Sequence, residues 1–546
     1  MTTSTQLQNR RQLLETEIEL LRQQGCHSSD WSGISISEGT DLSRIRNVRF
    51  EGTIHLGAGV TLENIGLLKM EPKARCGVGS KVSVLDETGS RYVRIFPGLS
   101  AQIAMLAARD PSWSQGNARH LFDEHLTTLS IDRSIGDNAT IRNVRNIVNV
   151  AVDRDVMIDG ASDLRNGMVI NNAAPGRSLA HIGANVVADN FIIEDGCADS
   201  GAIIHNCYLG QGASLSSGFS AHDSLIFANC NFENGEAHAM FAGPFTASMH
   251  KSTLLIACQT SFFNAGSGTN QSNHMYKLGP VHWGVLERGV KTSSNSYLML
   301  NAHIGAFSLL MGLHKTHPDA SQFPFSYLFG DDLGATVVVP GAMLRSCGLL
   351  RDEKKWPARD RRGKNRLSRQ NDRIIYDVFN PVTVEAMLSA IEEIRRLLGH
   401  HADDDRYIRH KGMKFASAAL ERAVYLYKLA VYKYLHLVTA EHGFPIHNPE
   451  AEQFEWVDMA GQVMPRSYLE KARNSESLAE IEKVFSEAFD NYDELQRQWI
   501  SARFDSSWRR PAEVIADYAA DFDRMIDTDR NKYLDELASQ NEMLAL

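Results

Sequence analysis

"FIIEDGCADSGAIIHNCYLGQGASL", residues 191–215, is the stretch that decides the fold. Counting in sixes from its first residue gives Phe191, Cys197, Ile203, Leu209 and Leu215, all apolar. Four places after three of these stand the small residues Gly201, Cys207 and Ala213. A period of six fits neither the helical repeat of 3.6 nor the strand repeat of 2. It suits a coil with flat sides and tight corners. One apolar side chain per side points inward and stacks on its equivalent in the next coil, and a small residue near the corner lets the backbone turn. Three such sides make a coil of about 18 residues, and each coil buries its face on its neighbours.

The same count works outward in both directions. Phe50, Leu56, Leu62 and Leu68 are in phase, as are Val78 and Val84, and Ile135, Ile141 and Ile147. "IGDNAT" (135–140), "IGANVV" (182–187) and "LGQGAS" (209–214) are the clearest copies. The best tracts span roughly 50–90, 130–160 and 180–220. The competing reading, an irregular all-β domain with chance spacing, has to produce five in-phase apolar positions by accident. The pattern resembles the hexapeptide-repeat (LpxA-like) superfamily. That resemblance implies a left-handed parallel β-helix, an exception to the right-handed crossover rule.

The flanks have a different texture. Residues 5–25 carry Leu13, Leu14, Ile18, Leu20 and Leu21 at helical spacing, with Gly25 as a stop. A second helical patch lies at 99–110. Beyond 380 the segments 380–401, 415–440, 477–504 and 511–544 are helical by period, and Asn380-Pro381 and Arg510-Pro511 read as helix starts. The expected organisation is an N-terminal helix and cap (1–44), a mainly β solenoid with inserted loops (45–350), a basic linker (351–379) and a C-terminal α-helical domain (380–546). The whole layout also resembles a bacterial family of long hexapeptide-repeat chains that carry a "NAGSGTNQSNHMYKLGP" run and a helical tail. That family has no established activity, so this resemblance implies a fold and no chemistry.

Bulk composition narrows the classes. The 546 residues exceed one ordinary core. The chain is 43% hydrophobic and 22% charged, as folded soluble proteins are. A net charge of −10 argues against general nucleic-acid binding. No apolar run reaches the ~18 residues that span a membrane, and the first 26 residues contain no secretory apolar core. Seven scattered cysteines without a C-x-x-C pair (Cys26, Cys76, Cys197, Cys207, Cys230, Cys258, Cys347) fit a reducing, cytoplasmic setting.

The regular hexads fade after Ser220, and polar residues crowd into 222–297. Residues one coil apart lie about 4.8 Å apart in space, so groups scattered over this stretch can converge on one wall. Candidate catalytic residues are His274, Lys277, His250 and Glu287. Candidate substrate-binding residues are Asn270, Asn273, Tyr276, His282, Arg288, Lys291, Lys251 and Glu236. His274 leads because it sits among amides in an excursion from the coils, with Lys277 close behind. Single Asn and Ser residues also have a structural reading, as hydrogen-bonded ladders at coil corners. A lone His is more often a surface or core residue than a catalyst, yet seven (His238, His250, His274, His282, His303, His314, His317) fall between 238 and 317. "RDEKKWPARDRRGKNR" (351–366) carries eight Lys/Arg against three Asp/Glu. It reads either as a solvated linker or as an anion clamp in which Trp356 stacks on a ligand and Arg345 and Arg351 lie nearby. "GVLERGVKTS" (284–293) only mimics a phosphate loop, since Val290 separates Gly289 from Lys291 and no helix pattern follows.

Three function classes follow. The first is a group transferase of the hexapeptide type acting on a carbohydrate or nucleotide-linked sugar. In such enzymes a His on a coil or loop serves as general base, and an acyl-CoA or sugar nucleotide is the expected donor. The second is a metal-dependent hydrolase or lyase, with zinc held by His side chains such as those of "HKTH" (314–317) or His274 and His282. The third is a non-catalytic scaffold. The superfamily resemblance implies a homo-oligomer, a trimer first.

Overall fold

The computed structural model describes residues 10–272, 282–364, 367, 369–400, 406–448 and 454–544. The chain divides into two compact units. The first comprises 1–259, 275–283 and 360–372; the second comprises 260–274, 284–359 and 373–546.

The first unit is dominated by parallel strands stacked at regular chain offsets. In one ladder Val187, Ile203, Ser220, Glu236 and Leu254 are successive partners. In a second the order is Tyr208, Leu225, Phe241. In a third it is Cys197, Ser214, Asn231, Ala247. Each step advances 16 to 18 residues, so the six-residue period is the footprint of three ladders. The in-phase residues Phe191, Leu209 and Leu215 are fully buried, whereas Ile203 is exposed. Burial at that strand falls instead on its neighbour Ile204.

Corners are turned by asparagines in the left-handed backbone region. Asn47, Asn64 and Asn143 have φ of 52°, 56° and 54°. Their side chains form a ladder, Asn47 Nδ2 donating to Asn64 Oδ1 at 3.1 Å and Asn64 Nδ2 to Asn143 Oδ1 at 3.1 Å. Asn tolerates this conformation because its short amide bonds locally.

An excursion of 71–133 interrupts the stack. It separates the strand Thr61–Met70 from its partner Thr140–Val152, 79 residues further on. It contains the helices Ala101–Arg109 and Arg119–Thr128 and a small hairpin, Lys81–Val82 with Val93–Arg94. Ser100 starts the first helix by accepting the Ile103 N–H. Val78 and Val84 lie in this excursion, so their sixfold spacing is coincidental: both are buried, but neither lies on a strand of the stacked ladders.

The second unit holds further parallel strands and the helices. Lys291, Leu309 and Tyr327 stack at 18-residue steps. The strand Tyr327–Gly330 then pairs antiparallel with Thr336–Val339. That strand pairs parallel with Met413–Ala416, itself in a hairpin with Tyr407–His410. The helices Pro381–Gly399 and Ala512–Leu544 pack on Ser417–Thr439. Asn380 caps the first of these, its side chain accepting the Val382 and Thr383 N–H groups, with Pro381 in the first turn.

Two expectations change. The later strands and the helices form one unit, where the sequence suggested a boundary between them. The segment 351–379 is not an open linker. It begins inside the helix Cys347–Arg359, and residues 360–372 belong to the first unit. Arg362 is 2% exposed and reaches the Asp372 carbonyl at 2.7 Å and the Asp360 carboxylate at 2.8 Å. The Asp372 carboxylate accepts the Ala101 and Ala228 N–H groups at 2.7 and 2.9 Å. One cation of the run, Arg362, is thus matched in the interior as buried charge must be, while Lys354, Arg359, Arg361 and Lys364 remain exposed.

Candidate functional site

The residues singled out from sequence are dispersed. His274, Lys277, Asn273 and Tyr276 lie outside the described residues. In the first unit His250, Lys251 and Glu236 are exposed, and His282 is half-buried with a buried, unpartnered Nε2. In the second unit Asn270 sits half-buried in a strand. Glu287 accepts from His303 Nε2 at 2.8 Å and from the Ala306 N–H at 3.1 Å, bonds made beside the paired strands Gly284–Leu286 and His303–Ile304. Lys291 is ion-paired with Asp352. Arg345 is exposed on a short helical turn.

Two expected ligand groups turn out to be structural. Arg288 is buried, ion-paired with Asp458 at 2.6 Å and bonded to the Ile375, Asp377 and Gly461 carbonyls at 3.0–3.1 Å. Its fork ties the polar loop to the helical region and leaves little for a substrate. Trp356 is packed against Phe262 and Phe307, with ring centroids at 4.5 and 6.2 Å, so its face is taken by the core.

The constellation with room beside it lies elsewhere, in the first unit, around a residue that sequence reasoning passed over. A cavity of about 210 Å³ is lined by His55, Ser37, Arg10, Arg154 and the carboxylates of Glu38, Asp132, Asp137 and Asp153. Its floor follows from strand alternation. In Ile34–Ser37 the isoleucines turn inward, and Ser35 and Ser37 therefore share the other face. Ser35 is in register with His55, and His55 with Ser134 on the next strand. Serine, imidazole and serine are thus stacked across three strands. The imidazole is held at both nitrogens, Nδ1 to Ser35 Oγ at 3.1 Å and Nε2 to Ser37 Oγ at 3.0 Å. Ser134 is 8% exposed, and its hydroxyl has no hydrogen-bond partner among the described residues.

The motif "IGDNAT" builds the opposite wall. Ile135 is buried in the core, and Asp137 Oδ1 accepts the Ala58 N–H at 2.8 Å. Gly136 permits the close approach: a Cβ there would lie 2.5 Å from the Arg154 nitrogen. Arg10 is paired with Asp132 at 2.8 Å, and Arg154 with Asp155 at 3.0 Å.

Burial pulls the His55 pKa down from 6.5 to about 4, and the Arg10 charge adds to this; Asp132 and Asp137 act in the opposite direction. Its imidazole is therefore neutral at neutral pH, with one nitrogen donating and one accepting. Burial also raises the Asp153 carboxyl above its ordinary value. Both ring nitrogens face serine hydroxyls, so the proton this imidazole can take directly is a serine's. Ser37, which lines the cavity, can pass its proton to Nε2 while accepting one from a bound hydroxyl, with Asp132 and Asp137 favouring the imidazolium as it forms. The surrounding carboxylates and guanidinium groups suit a substrate rich in hydroxyls.

A second feature was legible and missed. His205, His222 and His238 are register partners on three successive parallel strands, with ring centroids 5.9 and 6.1 Å apart. His222 Nε2 meets Ser220 Oγ at 2.8 Å, and His238 Nε2 lies 4.0 Å from Glu87. Their separations of 17 and 16 residues match the step of the parallel ladders. His55 had no comparable signal, because its bonded serines sit on the preceding paired strand, before the regular hexads begin.

Among the described residues no three His, Cys, Asp or Glu side chains are placed to hold a metal ion, and no helix is long and apolar enough to cross a membrane. No curated protein matches the chain significantly. A family model described as a domain of unknown function (DUF4954) matches residues 10–60 and 55–398, well over half of the chain, and the protein belongs to that family.

Proposed function

We propose that the protein is a group transferase acting on a sugar or nucleotide-linked sugar, built on a hexapeptide-repeat, left-handed β-helix, with His55 as general base. The observation that carries this reading is the neutral imidazole of His55, held between Ser35 and Ser37 at the wall of a polar cavity. Three parallel ladders advancing 16 to 18 residues per step, and corners made by left-handed Asn, support the β-helix. Seven free cysteines, most of them buried, support a reducing, cytoplasmic setting. The donor is an acyl-CoA or a sugar nucleotide, and the acceptor hydroxyl lies beside Ser37, which relays its proton to His55 Nε2.

The test is turnover. Purified protein is incubated with sugar and nucleotide-sugar acceptors and either donor class, and products are read by mass spectrometry. Transfer in the wild type with loss of about 10²-fold or more in His55→Gln supports the reading. Transfer at an unchanged rate in His55→Gln, or no transfer with any pair, overturns it.

A further inference from the structure

A second cavity, of about 510 Å³, lies wholly within the second unit, between the start of the helix Cys347–Arg359 and the long helix Ala512–Leu544. Arg345, Ser346 and Tyr327 line one side, and Met525, Asp529 and Lys532 the other. Its charges are unequally matched. Asp529 is occupied, its carboxylate accepting the Cys347 N–H at 2.9 Å. Arg345 and Lys532 form no ion pair among the described residues. Lys532 is unusual on its helix in this respect, because Arg524 and Arg530 each pair with an aspartate three residues earlier. Burial raises the pKa of the half-buried Tyr327 phenol, and the fields of both Asp529 and Arg345 reach it.

We propose that this cleft binds a small organic phosphate. A guanidinium and an ammonium facing one space from two elements match a phosphate's charge and its three acceptor oxygens. Hydroxyl groups of Ser346 and Tyr327 add donors. Met525 and the Tyr327 ring offer an apolar surface for the organic part. The space far exceeds the ~10–15 Å³ that one water needs by the same measure, so inorganic phosphate alone would leave the cleft largely unfilled. The site is independent of the His55 cavity, which is lined only by residues of the first unit.

Isothermal titration with ribose 5-phosphate, glucose 6-phosphate and AMP, with inorganic phosphate as control, tests this. We expect saturable binding of at least one ester, tighter than inorganic phosphate, and weakened about tenfold or more in Arg345→Gln/Lys532→Gln. Both side chains are exposed, so this variant should melt with the wild type, and His55→Gln should bind the ester normally. Three results would overturn the proposal: no ester binding, equal binding in the double variant, or loss of binding in His55→Gln with retention in the double variant. The last would move the phosphate to the first unit without touching the transferase reading.

Discussion

At the scale of single residues, the buried titratable groups set a pH dependence with opposing parts. His55 and His314 are both neutral in the folded chain, with pKa values lowered from 6.5 to about 4 by burial. Each therefore contributes stability that is complete above pH 6.5 and is lost as pH falls from 6.5 to 4, on the order of 3 kcal/mol per site. Asp195 runs the other way. Burial raises its carboxyl from 3.8 to about 6, so the folded state gains a proton first and is favoured as pH falls from 6 towards 4. Melting temperatures between pH 7 and 4 should fall less steeply in His55→Gln and His314→Gln, and more steeply in Asp195→Asn. Parallel curves for all three variants would contradict the assignment. Arg288 gives a prediction of pure stability. Replacing it with Met strands Asp458 and three carbonyls, and should cost about 3–5 kcal/mol in urea unfolding of the second unit. A loss below about 1 kcal/mol would mean that the pair is solvated.

At the scale of elements, stacking forces neighbouring strands to share volume. Phe191 pairs in register with Gly167, and a Cβ on Gly167 would lie 2.2 Å from the Phe191 ring. The aromatic ring fits because the strand beside it has no side chain there. Gly167→Val should destabilise strongly, by about 3 kcal/mol or more, and Phe191→Leu in the same chain should recover part of the loss. Additive effects in the double-mutant cycle would contradict the shared volume. This pairing also shows why the sequence was readable only in part. The hexads from Phe191 to Leu215 repeat within one tract, so period alone exposed them. Gly167 fills the same position with no side chain, and the excursion of 71–133 breaks the count while Val78 and Val84 imitate it. The His205–His222–His238 column needed only the coil length to be found. The His55 site needed the register of three strands, which places Ser35, His55 and Ser134 side by side across 100 residues of chain.

At the scale of the whole molecule, the helical texture of the tail was legible, but its partner was not. Helical periodicity says which face is buried and not against what, so the grouping of the later strands with the helices emerged only from packing. The basic run misled because local charge carries no sign of its bonding partners. Arg362 is satisfied by Asp360 and the Asp372 carbonyl, and outside that run Arg288 finds Asp458 170 residues further along. The superfamily resemblance predicts a trimer, so light scattering should give a particle three times the 60.8 kDa chain mass. A monomer at micromolar concentration would remove that expectation and leave both cavities, each of which is built from one chain. The central claim is that the His55 cavity takes the substrate. It is tested most directly by thermal shift of the purified protein against a panel of sugar nucleotides and acyl-CoA esters, with His55→Gln and Ser37→Ala in parallel. At least one compound should raise the wild-type melting temperature by several degrees, and both variants should lose most of the shift. No stabilising compound, or equal stabilisation of all three proteins, would contradict it.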